Sequence, residues 1–322
     1  MRALVIGASG QVGAALLGAL AARGHEATGT YAHHAAPGLA PLDVTDRVAV
    51  EQAVAAARPD WVLCPAGLTH VDRCEEHPAE AFAINRDGAL HAARAAQRAG
   101  AGFVFFSTEY VFDGERGPYA EDDPARPLSQ YGLSKWEGER AVLAEIPRAI
   151  VVRTTVVYGP DRQEKNFVYQ LIRNCQSGQP MRIPSDQISS PTYNADLAAA
   201  TIELCERDLR GIYHLAGATL LDRFTFARLA CEIFHLDPSH LTPVTTSSLN
   251  QKAPRPLKAG LLITKAQALL QTNLRPPEAG LREMKLALNS LSPERDPRGG
   301  EGQGEGAPQD HPRPVDPTHH IR

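Results

Sequence analysis

Two rhythms of hydrophobic and polar positions alternate along the first half of the chain. Short, continuously apolar runs such as "ALVIG" (3–7) read as strands buried on both faces, and "EATGTY" (26–31), "DWVLCPAG" (60–67), "FVFFST" (103–108) and "AIVVRTTVVYG" (149–159) read as further strands. Between them lie stretches with apolar residues at helical spacing: "QVGAALLGALAARGH" (11–25), stopping at Gly24, "RVAVEQAVAAARP" (47–59), "AEAFAINRDGALHAARAAQRAG" (79–100) and a helix opening at Tyr131 and running toward "ERAVLAEI". Strand and helix taking turns predict an α/β fold, a parallel sheet covered by helices on both sides. After Gly159 the rhythm loosens. Helices are expected at "NFVYQLIRNCQSG" (166–178), "NADLAAATIELCER" (194–207) and "TFARLACEIFHL" (225–236), loop or short strand at "MRIPSDQISSPTY" (181–193), and a late strand at "GIYHLAG" (211–217).

This pattern divides the chain into a first unit over residues 1–160, completed by sheet elements from about 190–216, and a smaller lobe over 161–293. Residues 294–322 are rich in Gly, Pro and charge, cannot bury enough surface to offset ordering entropy, and are expected to be a disordered tail. His319 and His320 in that tail read as solvated, and no metal is expected. The 322 residues carry 37 acidic against 33 basic side chains, a balance that gives no electrostatic case for nucleic acid or an anionic membrane as partner. Five scattered cysteines without a CxxC pair suggest buried thiols in a reducing compartment. With no signal peptide expected before the first motif and no apolar run near the ~20 residues that span a bilayer, a cytoplasmic protein is expected.

The candidate chemistry begins at "VIGASGQVG", which sets Gly7, Gly10 and Gly13 at the first strand–helix junction. A tight turn there lets backbone approach a pyrophosphate, and the helix N-terminus offers free N–H groups to the same anion. The spacing is G-x-x-G-x-x-G, and Gly7, Ser9, Gly10, Gln11, Val12 and Gly13 are the expected dinucleotide contacts. An acidic residue ~20 positions on would hold the ribose 2′-OH of NAD. "ATGTYAHH" (27–34) has none, while Thr30, His33 and His34 leave room and donors for a 2′-phosphate, so NADP(H) is favoured over NAD(H). Asp43 and Val44 are placed to contact the adenine, with Ala66 and Gly67 beside the cofactor at the end of "CPAG".

Strand "FVFFST" delivers Ser107 and Thr108 to the carboxyl edge of the sheet, where open α/β sheets bind ligands. The following helix carries Tyr131 and Lys135, one turn apart on one face. A free phenol has a pKa of ~10, and a neighbouring ammonium is expected to lower it into a useful range. Thr108 would fix the substrate oxygen.

Together these segments resemble the extended short-chain dehydrogenase/reductases, and within them the dTDP-4-dehydrorhamnose reductase (RmlD-like) family: "STEYVFDG" and "PLSQYGLSKWEGE" match its S-T-D-Y-V-F-x-G and P-L-N-x-Y-G-x-[ST]-K-x-x-G-E patterns. "THVDRCEEHPAEAFAINRDG", "VVRTTVVYG", "DQISSPTYNADLA" and "GIYHLAG" follow the family order. The resemblance implies a Rossmann fold, a doubly wound parallel sheet with a small interleaved C-terminal substrate lobe, that reduces a 4-keto nucleotide sugar. Tyr131 would donate the proton, Lys135 would bind the nicotinamide ribose and tune the phenol, Thr108 would complete the triad, and Asn85 would join the proton relay. Thr69, Val71, Thr108, Glu109, Tyr110, Val156 and Arg255 are the implied substrate contacts, Arg255 facing the diphosphate. Three positions depart from the family: Val156 stands where a tryptophan is common, Glu109 where an aspartate is, and Lys258 where an asparagine is. Two other readings stay open. The regulatory β subunit of methionine adenosyltransferase resembles the same family, so the chain would be a non-catalytic NADP-binding partner of a synthetase, or else a nucleotide-sugar epimerase. A homodimer is also left open.

Overall fold

The computed structural model describes residues 1–291, so the expected tail at 294–322 lies outside the described residues. Seven parallel strands form the central sheet: β1 (Arg2–Val5), β2 (Glu26–Tyr31), β3 (Leu39–Pro41), β4 (Trp61–Cys64), β5 (Gly102–Thr108), β6 (Ala149–Thr154) and β7 (Gly211–His214), in the order β7-β6-β5-β4-β1-β2-β3. The strand order reverses between β1 and β4, and at such a switch point the crevice outside the carboxyl ends is the ligand site of doubly wound sheets. The middle strands are buried on both faces because two separate apolar layers cover them. One layer packs Leu16 and Leu20 of helix Gln11–Ala22 and Leu197 of helix Asn194–Glu206 against β1, β4, β5 and β6. The other sets Val50, Ala92 and Val142 of three further helices on the opposite face.

Two expected elements differ in detail. The helix read over 79–100 is a short helix Pro78–Phe82, a π turn Ala83–Gly88 and a regular helix Ala89–Arg98. The widened turn holds Asn85, buried between the sheet and helix Gln130–Glu145. The strand read over 149–159 stops at Thr154, because Val156 adopts a φ of 40° that no strand accommodates, and resumes as Val157–Tyr158. That stub pairs with Thr192–Tyr193, leading the chain into small two-stranded ladders around a third core of Tyr158, Leu171, Ile183, Phe226 and Leu281. Among the described residues no helix is long and apolar enough to cross a membrane.

A buried ion pair pins helix Gln130–Glu145 to the sheet. Arg153, on β6, donates from Nε and Nη2 to Glu139 at 3.0 and 2.7 Å, with both side chains almost fully enclosed. Arg153 Nη1 also donates to the Glu121 carbonyl, and the Glu121 carboxylate accepts from the His214 backbone N–H. Glu121 is therefore a structural tie. Removing one partner of such a pair leaves an uncompensated charge in the interior. Glu139→Ala is expected to lower stability by about 3–5 kcal/mol, whereas Arg153→Met with Glu139→Leu should recover most of the loss. Urea unfolding checks this, and a single variant as stable as the native chain would refute it.

Candidate active site

The glycine turn is built by close backbone approach. Gly7 has a φ of +92°, and a Cβ there would sit 2.9 Å from Ala66 backbone atoms. A Cβ at Gly13 would strike the Gly7 carbonyl at 2.3 Å, so the first helix can start directly against the turn. Gly10 faces open space apart from that carbonyl. Gln11 Nε2 is buried without a partner, a donor left over at the mouth of the turn. These features fit a dinucleotide phosphate on the helix N-terminus. The Ser9 carbonyl accepts from Gln163 Nε2, Thr30 accepts through its hydroxyl from Gly7 N–H, and Val12 packs into the first core. Asp43 turns back to accept from Thr45, and Val44 lies buried against Gly88. His33 is exposed at the end of β2.

Across the switch point, Tyr131 and Lys135 share one face of their helix, with Ser129 as its N-cap. Tyr131 meets Tyr110 edge-on, ring centroids 5.4 Å apart, and Leu68 and Val71 pack around it. Thr69 is exposed on the same loop, next to His70, whose ring accepts from Arg73 N–H and caps helix Val71–Glu76. The Lys135 ammonium lies 4.2 Å from the centre of the Phe105 ring and faces Gly67. Burial presses its pKa down to about 8, against the pull of Cys64 and Glu139, so it is mainly protonated at neutral pH. Asn85 holds the Gly67 loop by accepting from Leu68 N–H and donating to the Leu68 carbonyl, and it also donates to Ser134 Oγ.

The phenol is not acidified as expected. Burial drives Tyr131 above the ordinary tyrosine value, and the neighbouring Thr108 hydroxyl only partly opposes this. Thr108 Oγ1 accepts from Tyr110 N–H. Beside it, Glu109 is buried, and its Oε2 has no partner; Ser107, Thr154 and Thr155 hydroxyls at the same sheet edge are likewise unpaired. Burial pushes the Glu109 carboxyl up to about 8, ahead of the opposing effects of Thr155 and Arg223, so this acid is neutral through most of the physiological range.

Of the implied substrate residues, Val156 packs its side chain into the third core. Arg255 is held by Asp72 at 3.0 Å and donates to the Ala253 carbonyl. Sequence reading passed over Arg223, whose guanidinium stacks on Phe167 at 5.2 Å and acts electrostatically on both Glu109 and Tyr110. It also passed over Gln163, which closes on the glycine turn. Neither sits in a local motif, so nothing but the tertiary fold could have found them.

Residues 1–289 match the family model described as the RmlD substrate binding domain. The dTDP-4-dehydrorhamnose reductase of Streptomyces griseus is 39% identical over 89% of this chain and 94% of its own length. A probable dTDP-4,6-dihydroxy-2-methyloxan-3-one 4-ketoreductase of Streptomyces antibioticus is 37% identical over 80% of this chain and 85% of its own. Among solved structures, the dTDP-4-dehydrorhamnose reductase of Bacillus anthracis in complex with NADP superposes with a TM-score of 0.82, at 30% identity over 89% of this chain and 99% of that one.

The buried acid makes stability depend on pH. Glu109 binds its proton in the folded chain up to about pH 8 but only to its ordinary value of 4.5 when unfolded. Between these values the native state holds more protons, so stability falls as pH rises through the window. Glu109→Gln should abolish that part of the decline, ending more stable than the native chain above about pH 8. Denaturant midpoints taken across the window test it, and a parallel decline in both proteins would count against a neutral Glu109.

Proposed function

The chain belongs to the RmlD substrate-binding domain family, and on that premise we propose that it is an NADPH-dependent oxidoreductase that reduces the 4-keto group of a dTDP-linked sugar, as a dTDP-4-dehydrorhamnose reductase does. The observation that carries the reading is the convergence of Thr108, Tyr131 and Lys135 at the carboxyl edge of the sheet, across from the glycine turn. Neither the regulatory-subunit nor the epimerase reading is favoured by the named relatives, which are a reductase and a ketoreductase.

When bound, the cofactor supplies the hydride that reaches the carbonyl carbon. Gly7, Gly10 and Gly13 would hold its pyrophosphate, and Lys135 its nicotinamide ribose. Thr108 positions the carbonyl oxygen, and Tyr131 gives that oxygen its phenolic proton. A phenol kept neutral by burial suits this direction of reaction, because the proton must be present before transfer and an alkoxide is a stronger base than a phenolate. The phenolate left behind is stabilised by the Lys135 ammonium one turn away. Arg223 and Arg255 both act electrostatically on Tyr110, and we assign them to the anionic side of the substrate. Residues 1–160, with the later sheet elements from about 190–216, form the cofactor half in this reading, and 161–293 mainly the substrate lobe. Every residue it uses lies in one chain. A cytoplasmic setting is part of the proposal, supported by five unpaired buried cysteines.

Tyr131→Phe is expected to lower kcat by roughly 10²–10⁴-fold while NADPH binding persists, because only the donated proton is removed. Loss of reduced-nicotinamide absorbance with a panel of dTDP-4-keto sugars measures it. Native-like turnover by the variant would overturn the assignment.

A further inference from the structure

The position that selects between the two nicotinamide cofactors lies at the end of β2, and the sequence from Ala27 to His34 has no carboxylate there. An acid at that point would hold a ribose 2′-hydroxyl and repel a 2′-phosphate. The structure brings a cation to it from a distant part of the chain. Lys165 Nζ lies 3.1 Å from His34 Nε2, across 131 positions of sequence.

The loop that carries Lys165 is firmly built. The Asp161 carboxylate accepts from the backbone N–H groups of Gln163 and Lys165, and the Asp161 carbonyl accepts from that of Glu164. Gln163 then reaches the Ser9 carbonyl in the glycine turn at 2.9 Å. One short loop thus touches the turn that suits a pyrophosphate and the strand end that suits the adenosine ribose. Among the described residues Lys165 has no carboxylate partner, and its side-chain contact is a ring nitrogen. An ammonium and an imidazole, both exposed and with no carboxylate between them, present donors to a phosphate monoester.

We propose that Lys165, paired with His34, reads the adenosine 2′-phosphate and sets the preference for NADPH over NADH. This rests on the reductase reading above and goes beyond it by naming the residue that discriminates. It also makes cofactor selection depend on a segment outside the strand–turn–helix unit that binds the pyrophosphate.

The test compares ligands that differ only in the 2′-phosphate. Calorimetry with adenosine 2′,5′-bisphosphate and with adenosine 5′-monophosphate, and fluorescence titration with NADPH and NADH, are run on the native chain, Lys165→Ala and His34→Ala. Lys165→Ala should weaken the bisphosphate and NADPH by roughly tenfold, the scale of one charge-assisted hydrogen bond. Binding of the monophosphate and NADH should change less than about twofold, which also reports that the variant is folded. His34→Ala should shift the same two ligands in the same direction, and added salt should shrink the difference. Equal weakening of NADPH and NADH would make Lys165 a mere loop anchor and overturn the proposal. Unchanged binding of all four ligands would overturn it too. A native chain that bound none of the four would sink the cofactor reading itself, a distinct result.

Discussion

The site depends on one ammonium being kept charged inside the protein. Lys135 lies over the Phe105 ring in a buried setting that alone would strip its proton, and its pKa of about 8 is the residue of that conflict. Opposing the desolvation are Cys64 and then Glu139, one helical turn further on and itself paired with Arg153. Lys135, Glu139 and Arg153 form a chain of alternating charge running from the cleft into the body of the sheet. Cutting it at Glu139 would loosen the helix and weaken the charge at the cleft together. Fold stability and the charge state of Lys135 are in this sense one problem, settled by a shared set of buried charges.

The same arrangement ties early sequence to late sequence. His214, on the outermost strand, gives its backbone N–H to Glu121, and its ring Nδ1 lies 3.1 Å from the Leu262 carbonyl. Burial and the adjacent Arg153 press that imidazole down to about 3, so it stays neutral and adds no second positive charge beside Arg153. Tyr119 exchanges backbone hydrogen bonds with Gly260 and Leu262, which brings the C-terminal segment against β7. On the cofactor side, the Asp161 loop closes over the glycine turn. Contacts therefore cross between early and late sequence at both places.

Much of this was legible from sequence where the physics is local. Apolar runs of strand length, helical spacing and a glycine turn located the sheet, its covering layers and the phosphate end of the site. Tyr131 and Lys135 were legible because a helix places i and i+4 on one face whatever surrounds it. What stayed hidden depends on tertiary burial. The acidity of Tyr131 came out reversed, since desolvation of the phenol outweighs the opposing Thr108 hydroxyl. The neutral state of Glu109 needs the enclosure provided by β6, and the Arg223 and Lys165 positions need a lobe folded back over the sheet. The π turn at Asn85 has no period a sequence could announce.

Val156 is where local rules fail most plainly. A β-branched residue at φ 40° is held against its own preference, next to two threonine hydroxyls that find no partner. The turn sends the side chain into the lobe's core, away from the sheet edge where the family commonly sets a tryptophan. Tyr110 stands edge-on to Tyr131, and the buried Glu109 feels the charge of Arg223, which stacks on Phe167. A flat indole would present an apolar face, whereas Glu109 is an enclosed carboxyl that burial keeps protonated. The departure at Val156 therefore alters local packing, while Thr108 at the end of β5 and Tyr131 and Lys135 on their helix keep the places that strand and helix give them.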